Sequence, residues 1–113
     1  MTINYHGRTF RSVSNTENGE VGTETEFRYQ QRGTVVTATY SGGGVILGNL
    51  IAKVASDGTL DMRYQHVNQK HELMTGRCTS VPEVLSSGRL RLHERWQWTS
   101  GDRSSGESVV EEV

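Results

Sequence analysis

The chain has one cysteine, Cys78, and one proline, Pro82, in 113 residues. A single thiol cannot build an internal disulfide framework or a cysteine-rich zinc centre. No apolar run approaches the ~18 residues that a membrane-spanning helix needs, so no membrane partner is expected. The stretch Met1–His6 has neither the basic start nor the apolar segment of a secretory leader, and the expected setting is cytoplasmic. Neither sign of charge prevails, since 12 basic residues stand against 13 acidic ones and the two are interspersed. The nearest approach to a basic track, Arg89, Arg91 and Arg95, is broken by His93 and Glu94. It reads as a solvated strand face, and no nucleic-acid partner is expected. Leu, Ile, Val and Phe make up about a fifth of the residues, near the level below which chains stay disordered. A net charge of only −1 argues for a folded chain with a modest core.

Helical periodicity is also missing. What is present is a series of short β-rich runs separated by turn signals, in a single domain over 1–113. Eight runs can be drawn: Gly7–Ser14, Thr23–Gln31, Thr34–Ser41, Val45–Ser56, Thr59–Asn68, His71–Val81, Arg89–Thr99 and Glu107–Glu112. Asp57-Gly58 has the composition of a tight primed hairpin turn, and Gln69-Lys70 is a second candidate. Pro82 to Gly88 is expected to close the sixth run. Eight consecutive strands of about nine residues with short connections favour an all-β fold, an antiparallel up-and-down meander closed into a barrel. Closure removes exposed edges and leaves an interior that side chains fill or that holds one small ligand.

Alternation sorts side chains between inside and outside. On the seventh run Leu90, Leu92, Glu94, Trp96 and Trp98 share the apolar face, which places a carboxylate inside. Such a group must be paired, hydrogen-bonded or protonated. The fifth run adds Tyr64 and His66. On the sixth, either Glu72, Met74, Gly76 and Cys78 or His71, Leu73, Thr75 and Arg77 point inward, and pattern alone does not choose. Tyr29, Tyr40, Tyr64, His66, Glu72, Met74, Glu94, Trp96 and Trp98 form the candidate pocket lining, aromatic walls with a few placed polar groups. His66, Glu72 and Glu94 are also the candidate acid–base groups of a catalytic cavity. No nucleophile-elbow motif is present. His6, His66, His71 and His93 make no short ligand motif; convergence of His66, His71 and Glu72 across a hairpin is the less economical reading. No metal and no cofactor are expected.

Arg95-Trp96-Gln97-Trp98-Thr99-Ser100-Gly101 resembles the Q-W-L-L-T-S-G-T segment of streptavidin and its avidin relatives. In the same order, Met74-Thr75-Gly76-Arg77 is similar to the family's W-S-G-Q, and Thr39-Tyr40 to its T-Y. Asp57-Gly58-Thr59-Leu60 through Asn68 matches the strand that ends in W-K-N. The resemblance covers about two-thirds of the chain, from Gly33 onward, and implies an avidin-like or lipocalin-like barrel with its ligand in one open end. It implies that Tyr40 contacts a ligand oxygen and that Trp96 is a pocket wall. Glu111 or Glu112 would stand near an aspartate that accepts a ureido N–H. The departures are that His66 and Met74 replace wall tryptophans, Trp98 replaces a leucine and Glu72 replaces a hydroxyl. An ionisable pocket of this kind suits a polar or aromatic molecule other than biotin. The expected function is therefore small-molecule binding, in a homo-oligomer (dimer or tetramer) joined through the outer walls of the barrels. The alternatives are a cofactor-independent isomerase, cyclase or lyase in the same cavity, and a purely structural oligomer with a packed interior.

Overall fold

The computed structural model describes residues 3–113. It contains eight strands: β1 (Thr9–Asn15), β2 (Glu26–Arg32), β3 (Val35–Gly42), β4 (Val45–Val54), β5 (Leu60–Asn68), β6 (Leu73–Val84), β7 (Leu90–Trp98) and β8 (Ser105–Glu112). They form a closed barrel in chain order, all pairs antiparallel, with β8 returning to pair with β1. The all-β meander barrel anticipated from the run pattern is the observed fold.

The alternation that predicts the strands also builds the core. Phe27 and Tyr29, Val36, Ala38 and Tyr40, and Leu50 and Ala52 point inward on β2 to β4. Leu60, Met62 and His66 do so on β5, and Leu90, Leu92, Trp96 and Trp98 on β7. On β6, Gly76, Cys78 and Ser80 are buried while Leu73 is 70% exposed, which settles the inward face as the even-numbered one. One end of the barrel is sealed by the segment ahead of β1. There Tyr5 is fully buried, packs near Tyr29, and donates its hydroxyl hydrogen bond to the carbonyl of Gly58. The other end carries the β1–β2, β3–β4, β5–β6 and β7–β8 connections and is the mouth.

Three hairpins share one turn design. Ala55 with Thr59, Asn68 with Glu72, and Leu85 with Arg89 close on a backbone N–H···O bond around three residues. The last loop residue, Gly58, His71 or Gly88, has positive φ. The expected two-residue turns at Asp57-Gly58 and Gln69-Lys70 are therefore three-residue loops; only Gly58 of the first pair needs the left-handed region, and in the second His71 takes it. β6 also runs through Pro82 to Val84 instead of stopping before it. At that point β6 has passed the end of β5, whose last partner pair is Leu60 with Ser80, so one flank has no ladder for a missing N–H to break. β2 starts three residues later than Thr23, because Thr25 closes a turn onto Gly22. β8 begins two residues earlier than expected, paired with β7 from Gln97 onward.

Glycines position the aromatic rings. Gly48 lies directly across from Tyr40, Gly76 from Tyr64 and Gly106 from Trp96 on the neighbouring strand. A β-carbon at any of the three would collide with that ring. Each ring thus lies against bare backbone and is aimed along the barrel interior. We expect Gly48→Ala and Gly76→Ala to cost about 1–3 kcal/mol through overpacking, seen as a lowered midpoint in thermal unfolding. Gly22→Ala, where a β-carbon meets open space, should leave the midpoint unchanged. Equal midpoints for all three variants would show that the rings are not held by the glycines.

Candidate ligand-binding site

At the mouth end the interior is a cavity of about 50 Å³. Its walls include Tyr40 from β3, Tyr64 and His66 from β5, Glu94, Trp96 and Trp98 from β7, and Ser108 from β8. The rings support one another at an angle, with His66 and Trp98 centroids 5.6 Å apart, Tyr64 and Trp98 5.9 Å, and Trp96 and Trp98 5.5 Å. Both indole N–H groups are taken by the end of β1 and the connection that follows it: Trp96 donates to Asn15 Oδ1 and Trp98 to the carbonyl of Asn18, each at 3.1 Å. Asn15 reaches the cavity through a bulge between Ser12 and Ser14 in the β1–β8 ladder. The bulge leaves Val13 and Ser14 both outward and turns the next residue in.

Glu94 is the carboxylate that alternation places inside, and its partners come from the flanking strands in direct register. Ser80 on β6 and Ser108 on β8 stand opposite it and donate to its two oxygens at 3.2 and 3.1 Å. These serines are its only side-chain hydrogen-bond partners among the described residues. Burial pushes its carboxyl up to about 7, against the opposing pull of the Ser108 and Ser80 hydroxyls. Glu94 is one of the residues that line the cavity.

A second polar group surrounds His66, which is 2% exposed. Nδ1 lies 2.9 Å from the Tyr40 hydroxyl and Nε2 lies 2.7 Å from Glu20 Oε1. The Glu20 carboxylate can only accept, so Nε2–H is the donor of that pair. Asn68, two residues on, donates from Nδ2 to Glu20 Oε2 and to Glu72 Oε1, both at 3.0 Å. Burial holds the Tyr40 and Tyr64 hydroxyls and the Cys78 thiol far above their ordinary values, so Cys78 lines the cavity as a protonated thiol.

Six of the anticipated lining residues meet in this cavity: Tyr40, Tyr64, His66, Glu94, Trp96 and Trp98. Three lie elsewhere. Tyr29 points inward but at the sealed end, packed at tilted angles between Phe10 and Tyr5. Met74 is half-buried at the rim, its sulfur 3.9 Å from Ser100 Oγ. Glu72 is exposed at the β5–β6 turn, one residue before β6 begins. Nor do Glu111 and Glu112 line the cavity; they pair with Arg91 and Arg8 toward the sealed end. No cluster of metal-ligand type occurs among the described residues. Pattern reading missed Glu20, Asn15 and Ser108. Loop residues carry no face assignment, but small polar residues at inward positions beside Glu94 were a usable signal.

A closed meander barrel with one sealed end and an aromatic cavity at the other belongs to the class of small barrels that can enclose a single molecule. Within that class, the chain matches the family model of avidin-like proteins over residues 3–113, and it belongs to the avidin-like family. No curated protein matches it. Family membership points to small-molecule binding in general.

The elevated Glu94 carboxyl links stability to pH. The folded state holds this proton more tightly than the unfolded chain does. Its contribution is full below about pH 4.5 and lost as pH rises through about 7. At full strength such a shift is about 3 kcal/mol, and access of solvent to the cavity brings the expectation to about 1–3 kcal/mol. Glu94→Gln, which mimics the protonated acid, should match the parent protein in urea unfolding near pH 5 and exceed it by that amount near pH 8. A difference that does not change with pH would mean that Glu94 is not the titrating group.

Proposed function

We propose that the protein binds a small polar or aromatic molecule in the barrel mouth, with an N–H or cationic group of the ligand directed at Glu94. The observation that carries this reading is an acceptor carboxylate in an aromatic cavity, held by two serine hydroxyls and no cation among the described residues. A charge-assisted hydrogen bond from the ligand would supply the missing partner. Tyr40, Tyr64, Trp96 and Trp98 wall the body of the ligand. Biotin, with a neutral ureido head and an apolar chain, suits this ionisable lining poorly. The enzyme reading is less well supported, since both nitrogens of His66 are already engaged by Tyr40 and Glu20.

The proposal extends to self-association. On the outer wall Leu47, Val67 and Leu73 are cross-strand neighbours on β4, β5 and β6, and Leu47 and Leu73 are more than half exposed. Native mass spectrometry of the protein as purified would report both a retained small molecule and the subunit number. Titration with benzylamine, followed by the emission of Trp96 and Trp98, should weaken at least tenfold in Glu94→Gln, about 1.4 kcal/mol. Unchanged affinity would remove Glu94 from ligand recognition.

A further inference from the structure

Glu20 lies between β1 and β2 and belongs to no strand, yet its carboxylate reaches into the mouth. Each of its oxygens receives its own N–H, one from His66 Nε2 at 2.7 Å and one from Asn68 Nδ2 at 3.0 Å. Both donors sit two residues apart on β5 and are 2% and 3% exposed. Neither is free to turn away. The Tyr40 hydroxyl fixes the imidazole from behind, and Asn68 Oδ1 accepts from the backbone N–H groups of Lys70 and Glu72 at 3.0 and 2.9 Å. The fork is oriented by its own supports, the condition for selective recognition of a planar anion.

The occupant of this fork also accounts for the size of the cavity. Gly19, Glu20 and Val21 form part of its wall and leave about 50 Å³. That is room for a few water molecules, whereas ligand pockets commonly run from ~300 Å³ upward. A ligand carboxylate can reach the fork only by displacing that of Glu20.

We propose that His66 and Asn68 form a carboxylate-recognition subsite which Glu20 fills as a tethered surrogate. The ligand is then a small amphoteric acid, its carboxylate replacing that of Glu20 and its N–H group directed at Glu94. This rests on the binding function proposed above. A tethered carboxylate competes at an effective concentration of roughly millimolar or more, so the loop weakens every carboxylate ligand and excludes those that cannot displace it.

The experiment compares the full-length protein with Glu20→Ala and the size-conserving Glu20→Gln, using benzoate, its neutral analogue benzamide, and benzylamine as probes. Trp96 and Trp98 report directly, since both indoles are hydrogen-bonded to the β1–β2 segment. Benzoate should bind Glu20→Ala at least tenfold more tightly than the parent, with a smaller gain in Glu20→Gln. Benzamide should gain less than threefold. Adding Asn68→Asp to Glu20→Ala keeps the Oδ1 acceptor of the turn but removes the Nδ2 donor, and should cancel the benzoate gain. Equal gains for benzoate and benzamide would overturn the subsite and leave Glu20 a steric plug. Benzylamine binding without any benzoate gain would overturn the subsite while the binding function stands. Failure of all three probes on every variant would overturn both.

Discussion

The seam between β1 and β8 is the pairing on which the remainder of the molecule depends. Until Phe10 to Asn15 lie along Ser108 to Glu112, the other strands form an open sheet with two edges and no inside. Closure turns one face of every strand inward, and only then do Tyr40, His66, Glu94 and the two tryptophans share a cavity. The seam shapes that cavity as well, since its bulge turns Asn15 toward Trp96. Displacement of a single residue in the ladder thereby supplies the indole with its acceptor.

The interior is divided along the barrel axis. The sealed half is hydrocarbon and ring, with Tyr5, Phe10, Tyr29, Leu60, Leu90 and Leu92 all nearly inaccessible. The mouth half holds the polar side chains, and each answers a neighbour: serines for Glu94, Tyr40 and Glu20 for His66, Glu20 and Glu72 for Asn68. No buried side-chain nitrogen or oxygen lacks a partner among the described residues. A stray buried donor or acceptor costs about 1–3 kcal/mol, and a core of this modest size has little margin to absorb one.

Much of this was legible in the chain, because a period of two is a strong constraint when one face must be dry. The inward set on β5 and β7 followed from Leu60, Met62, Tyr64 and His66 and from Leu90, Leu92, Glu94, Trp96 and Trp98. The fold followed from the count and spacing of such runs. Alternation says which way a side chain points but not how far along the barrel it sits, and Tyr29 fell at the sealed end for that reason. It is silent about connections, so Glu20 could not be found, and it cannot see the bulge that re-aims Asn15. On β6, polar residues on both faces left two registers open until pairing with β5 and β7 chose between them.

β1 meets its sequence neighbour β2 only over Thr9 to Arg11, but it meets β8 along nearly its whole length. The strand that starts the barrel is therefore held mainly by the strand that ends it, across about a hundred residues of chain. Loop closure over such a span is rewarded only after the intervening hairpins have assembled. Since Val113 donates its backbone N–H to the carbonyl of Thr9, the two ends of the barrel strand order finish side by side. In a circularly permuted chain opened within the β1–β2 connection, β1 would follow β8 as one more hairpin. The pairing of greatest sequence separation in the natural order would become one of its local ones.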